Sequence, residues 1–249
     1  MHRYFIDFSY DGTAYHGWQI QPNGNSVQAE LQRGISLLLR TDIALTGAGR
    51  TDAGVHARHM VAHFDTDAAF DCQELSRRLN RIVPRDIAVF SIHEVAPDLH
   101  ARFSAISRTY HYYIHLQKMP FARHYSWQTG YRLDFGKMNE AADCLLHYSD
   151  FGAFCKAGAD VKTTICYVTE ARWIEDTPWS WHFRIVANRF LRNMVRAVVG
   201  TLIEVGRGRM TVEEFCQVVE TGNRSNAGES MPAHALFLED VAYPAGDIS

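Results

Sequence analysis

Between positions 47 and 56 the chain reads Gly47-Ala48-Gly49-Arg50-Thr51-Asp52-Ala53-Gly54-Val55-His56. Glycines at 47, 49 and 54 imply tight or left-handed backbone. Such a turn holds Arg50 and Asp52 rigidly. A carboxylate held this way can serve as a nucleophile, a general base or a metal ligand. The spacing is not a dinucleotide fingerprint, because G-x-G-x-x-G is absent. It is not a P-loop, because no Gly-Lys-Ser/Thr follows. The metal reading would draw on His56, His59 and His63. On a strand, 56 and 59 have opposite parity, while 59 and 63 share a face. No acidic or cysteine ligand is spaced to complete a usual site, so no metal is expected. A blander reading stays open, in which Asp52 caps the turn and pairs with Arg50.

A second stretch suggests an anionic partner. Net charge is −3, but 21 of the 25 basic residues are Arg, whose planar fork suits phosphate and stacks on bases. Between 184 and 209, six arginines face one acid, Glu204. The pattern predicts a helix over 189–204. On it Arg189, Arg192, Asn193, Arg196 and Gly200 form one stripe, opposite Leu191, Met194, Val195, Val198, Val199 and Leu202. A charged stripe is usually a solvated face. This one lacks interspersed acids, which favours an anion-facing groove. Arg77, Arg78, Arg81 and Arg85 form a less decisive cluster.

These residues need elements to position them. Alternation predicts a strand over 4–10, with Tyr4, Ile6, Phe8 and Tyr10 on one side, followed by an irregular loop over 11–18. Ser26 caps a helix to about Arg40. Strands are expected near 43–48, 59–64 and 87–95, with a helix over 73–82. The second half has strands at 106–116, 163–175, 180–187 and 235–243, and helices at 137–147, 189–204 and 211–221. The order lacks a regular βαβα rhythm. It predicts an α+β protein of two halves, 1–105 and 106–249, meeting at a shared, mostly antiparallel sheet. With 47% hydrophobic and 21% charged residues, the composition is that of a globular protein. No stretch approaches the roughly 20 apolar residues of a membrane span. An early acidic residue, Asp7, argues against a signal peptide, so a cytoplasmic location is expected. Five scattered cysteines form no C-x-x-C pair and are expected to be reduced thiols.

The run Gly49–His56 closely resembles the signature of the tRNA pseudouridine synthase A family. Resemblance extends to Tyr10-Asp11-Gly12-Thr13-Ala14-Tyr15-His16-Gly17-Trp18-Gln19, to Arg102-Phe103-Ser104-Ala105 with Arg108-Thr109-Tyr110, and to the block Asn188–Gly208. It implies the pseudouridine synthase fold, with a cleft between two similar halves. It also implies isomerisation of uridine to pseudouridine at positions 38, 39 and 40 of the tRNA anticodon stem-loop. The uracil would be detached, turned and rejoined through carbon, with no cofactor. By the same resemblance Asp52 is the nucleophile, forming a covalent intermediate after the target base leaves the stack. Arg50 would fill the vacated space and contact the carboxylate. Arg196 would pair with Asp52, and a nearby guanidinium favours an ionised carboxylate. Tyr110 would stack on the flipped uracil. By parity alone Tyr110 could instead be core, with Tyr112, Ile114 and Leu116. Arg189 and Arg192 are candidate RNA contacts, although Arg189 replaces the family's usual small residue. A homodimer with tRNA bridging both subunits is implied as well. The competing readings are a non-catalytic RNA-binding protein on the same fold and a metal-dependent hydrolase.

Overall fold

The computed structural model describes residues 1–22, 24–156, 158 and 161–244. The final five residues of the expected second half lie outside that set. Secondary structure is mixed α+β, and the chain divides into two compact units. The first comprises Met1–Ser107 and Leu238–Ser249; the second is Arg108–Phe237.

In the first unit, strands β1 (His2–Tyr10), β2 (Thr46–Gly47), β3 (His56–Thr66) and β4 (Ile87–Val95) join β9 (Leu236–Ala242) in the order β4-β1-β3-β9, with β2 also paired to β3. The β1–β3, β1–β4 and β2–β3 pairings are antiparallel. Tyr4, Ile6, Phe8 and Tyr10 are buried as their alternation requires, and Asp7 and Ser9 are only half-buried. Helices α1 (Val27–Leu39) and α2 (Cys72–Ile82) bury Val27, Leu31 and Ile35, and Leu75 and Leu79. Ser26 and Asp71 cap them by accepting from Ala29 and Glu74 amides. Gly34 sits where a Cβ would press on Leu79, so its lack of a side chain sets the helix approach.

The second unit has β5 (Ser107–His115), β6 (Trp127–Gln128), β7 (Val168–Thr177) and β8 (Ser180–Ala187). The sheet order is β5-β8-β7, antiparallel throughout, and β6 pairs parallel to β5. Helices α3 (Phe135–Cys144), α4 (Met194–Gly206) and α5 (Val212–Thr221) complete it. Helix α4 is the core element: of its 13 residues, only Arg196 and Glu204 are not buried. Gly200 and Gly206 allow close packing, since a Cβ would overlap the Glu229 carbonyl oxygen at one and the Met138 sulfur at the other. Helix α5 begins with a capping box between Thr211 and Glu214.

Two expectations need correction. Helix α4 starts at Met194, not at 189. Asn193 takes a left-handed conformation (φ 68°), which breaks a right-handed helix there, so Arg189 and Arg192 precede α4. The stripe drawn by helical projection therefore does not exist. The cysteines are not all thiols either: Cys144 on α3 is bonded to Cys216 on α5, with Cα atoms 6.0 Å apart. Their separation of 72 residues hid the pair, because only helix packing brings them together. Cys155 and Cys166 are buried thiols.

One ion cluster ties three strands of the first unit together. His59 Nε2 lies 3.0 Å from Asp7 on β1, and its Nδ1 lies 2.7 Å from Asp240 on β9. Carboxylates facing both ring nitrogens require both to donate, so the ring is an imidazolium. The Asp240 bond, followed by the Asp7 bond, pushes its pKa up to about 9 against the opposing effect of burial. A pKa raised above the unfolded value of roughly 6.5 stabilises fully below that pH and fades as pH climbs through the folded value. Denaturant midpoints should thus fall between pH 6.5 and about 9, and His59→Gln should flatten the fall. Separately, Gly200→Ala should lower stability by about 1–3 kcal/mol through overpacking, measured by urea unfolding; an unchanged midpoint would contradict the close approach.

Candidate active site

The turn carrying Asp52 is closed by a hydrogen bond from the Val55 amide to the Asp52 carbonyl, 3.1 Å. Gly54 has φ 78°, the positive value that the third position of a type II turn demands. Asp52 is half-buried and Arg50 is exposed. The turn then runs directly into β3 at His56.

Residues 10–18 hold this turn from the other side. The Tyr10 hydroxyl and Thr51 Oγ1 are 2.8 Å apart. The Trp18 amide donates to the Thr51 carbonyl at 3.3 Å. His56 is 1% exposed, and its Nδ1 accepts the Gly12 amide at 3.0 Å. A Cβ on Gly12 would overlap the Val55 carbonyl oxygen, and one on Gly17 (φ 95°) would overlap that of Thr51. Trp18 is buried against Phe8, ring centroids 5.4 Å apart, and only a glycine at 47 leaves room for its indole. β3 also carries one extra residue against β1 here: Phe8 pairs with Met60, but Tyr10 with Ala57. Bulges of this kind re-aim a strand beside a site. The sequence marked 11–18 as an irregular loop and as part of the resemblance, with no structural task assigned to it. Gly12 and Gly17, flanking aromatic residues, were its signal.

The three histidines considered for metal have separate partners. His56 faces Gly12, His59 faces Asp7 and Asp240, and His63 Nδ1 accepts the Ala101 amide at 3.2 Å. Burial pushes the His63 pKa down to about 4. Among the described residues, no group of three or more His, Cys, Asp or Glu is arranged to hold a metal ion.

In the second unit, Tyr110 lies on β5 opposite Ile185 of β8. Tyr112 and Ile114, at the same parity, are fully buried, but Tyr110 is only half-buried. Its ring meets Phe190 edge-on, centroids 5.0 Å apart at 81°. Arg108 donates to the Asn188 carbonyl at 2.7 Å. The start of β5 and the segment before α4 are thus brought together. Arg189 reaches the Thr163 and Ile165 carbonyls only at 3.5 Å, and Arg192 is exposed. Arg196 is half-buried; its Nε donates to the Met231 carbonyl at 2.5 Å, and its own carbonyl accepts the Met231 amide. Other arginines of the basic stretch have acidic partners: Arg184 pairs with Glu170, and Arg207 and Arg209 with Glu204. Glu204 is the acid already present in that stretch, and Glu170, which also pairs with Arg172, is the one that comes from outside it. No helix among the described residues is long and apolar enough to cross a membrane.

The arrangement holds a carboxylate and a guanidinium on one rigid turn, and in the other unit an accessible aromatic ring beside an arginine-bearing segment. Comparison with known proteins puts these parts in context. The profile of the family described as tRNA pseudouridine synthase matches residues 8–104 and 141–244. A tRNA pseudouridine synthase A of Bacteroides fragilis is 54% identical over 243 residues, covering 97% of this chain and 96% of the relative. That of Bacteroides thetaiotaomicron is 54% identical over 98% of this chain and 91% of its own. The Bacillus subtilis protein of the same name is 39% identical, covering 94% and 96%. The matched segments contain both the Asp52 turn and α4, and on this breadth of similarity the chain belongs to the tRNA pseudouridine synthase family.

Proposed function

We propose that this protein is an isomerase that converts uridine to pseudouridine in tRNA, acting at positions 38, 39 and 40 of the anticodon stem-loop, with Asp52 as the nucleophile. The observation that carries the reading is the rigid, backbone-locked turn that presents Asp52 next to Arg50 within a family-wide match. Isomerisation of this kind needs no redox change and no group donor. It needs a carboxylate that attacks, a surface for the detached base and a way to extract that base from the stack.

Each proposed site residue answers one of those needs. Asp52 forms the covalent bond to the nucleoside. Arg50, exposed beside it, enters the space the flipped base leaves. Tyr110 offers a half-buried ring, and stacking on such a face contributes roughly 1–3 kcal/mol per base. Its edge-on contact with Phe190 restrains the ring. Arg196 supplies positive charge for the reaction, and its bond to the Met231 carbonyl fixes the guanidinium. Arg189 and Arg192 contact RNA phosphates from the segment before α4. On this reading the enzyme acts in the cytoplasm as a homodimer, without a metal or cofactor.

Asp52→Asn should reduce pseudouridine formation on unmodified tRNA by at least about a thousandfold, the scale of losing a covalent nucleophile, while filter-binding affinity for tRNA stays within a few fold. Full activity in this variant would refute the assignment. Wild-type affinity with no modification of any tRNA would instead favour a non-catalytic RNA-binding protein. Arg196→Ala should lower kcat more than it raises KM; unaltered kcat would remove its proposed role.

A further inference from the structure

We infer that His56 is a positioning residue for the reaction: it fixes the Asp52 turn by gripping the Asp11–Gly12 step and does not touch substrate. The inference rests on Asp52 being the nucleophile. The chain runs from Asp52 through the closed 52–55 turn into His56, the first residue of β3. The imidazole is 1% exposed, so its polar atoms need protein partners.

Nδ1 has two candidate partners on one dipeptide. The Gly12 amide lies 3.0 Å away, and Asp11 Oδ1 also lies 3.0 Å away. With the ring proton on Nε2, Nδ1 accepts from Gly12; with a proton on Nδ1, it donates to Asp11. Either bond ties the start of β3 to the same two residues. Those residues are themselves fixed. The Asp11 amide donates to the Asp86 carbonyl at 2.9 Å, and Asp11 Oδ1 accepts the Thr13 amide at 2.9 Å. Absence of a Cβ on Gly12 lets its backbone reach the Val55 carbonyl.

A second grip lies on the other side of the nucleophile. Tyr10 Oη meets Thr51 Oγ1 at 2.8 Å, and the Trp18 amide meets the Thr51 carbonyl. Asp52 is therefore bracketed: Thr51 is held just before it and His56 four residues after. Loss of one grip lets the turn drift. Misplacement of a reacting group by about 1 Å lowers rates on the order of a hundredfold.

The test compares His56→Leu, His56→Asn and His56→Gln with Asp52→Asn in single-turnover and steady-state assays on full-length tRNA. Leu removes the polar atom. Asn keeps one at the Nδ1 position, able to accept or donate, whereas Gln moves it one carbon further out. His56→Leu should lower kcat roughly tenfold to a hundredfold with KM changed less than about threefold, and His56→Asn should recover most of kcat. If His56→Leu does not fold, His56→Gln takes its place, with kcat expected well below that of His56→Asn. Unchanged kcat in a folded Leu or Gln variant would overturn the inference. So would a rise in KM at constant kcat, or an Asn variant that regains melting temperature but not kcat. Activity persisting in Asp52→Asn would sink the nucleophile reading itself, an outcome distinct from any His56 result.

Discussion

The first unit depends on the close approach of two backbones. Residues 10–18 and 47–56 lie so near one another that Gly12, Gly17 and Gly47 have no space for a side chain. Once the chains are that close, their amides and carbonyls must satisfy each other, since water cannot reach between them. The Trp18 amide finds the Thr51 carbonyl, and the Gly12 amide finds His56. Shape thus becomes rigidity. A carboxylate on a freely moving glycine-rich loop would lose effective concentration with every accessible conformer. Here the glycines serve proximity more than flexibility.

The second unit applies the same device to a helix. Nearly every residue of α4 is buried, and Gly200 lets the 228–231 segment run against it. Thr201 Oγ1 accepts the Gly228 amide at 2.9 Å, and Arg196 pairs in both directions with Met231. An arginine on so apolar a helix would be costly if its guanidinium lacked acceptors. The Met231 carbonyl meets part of that need and orients the rest of the group. Arg189 and Arg192 sit outside the helix, on irregular backbone behind the left-handed Asn193. Side chains there follow the path of the segment, not a helical face.

Electrostatics in both units are decided by pairing more than by composition. Arg184, Arg207 and Arg209 are partly neutralised by Glu170 and Glu204. Glu170 is far from 184 in sequence but adjacent across the β7–β8 ladder, where the neighbouring Ala171 faces Ile185. Likewise, His59 is charged because β1 and β9 bring Asp7 and Asp240 to its two nitrogens. The Arg184–Glu170 pair and the His59 charge do not follow from a local count of charges, whereas Glu204 lies only three residues before Arg207.

The sequence by itself determined the local rules and the family. Alternation in Tyr4–Tyr10 made β1, Ser26 began α1, and the β4 and β8 boundaries lie where the pattern put them. These features depend on neighbours within a few residues, which a linear reading contains. The Asp52 turn was legible for the same reason, from its glycine spacing. Tertiary structure alone decided the rest. It delayed the start of α4 until after Asn193, joined Cys144 to Cys216, kept Tyr110 half-buried while Tyr112 went into the core, and gave the 10–18 loop its task of holding the Asp52 turn. Each of those outcomes is a contact between residues distant in the chain, and no periodicity encodes which distant partner arrives. The Asp52 turn could be found by its residue types; what keeps it in place could be found only by what packs against it.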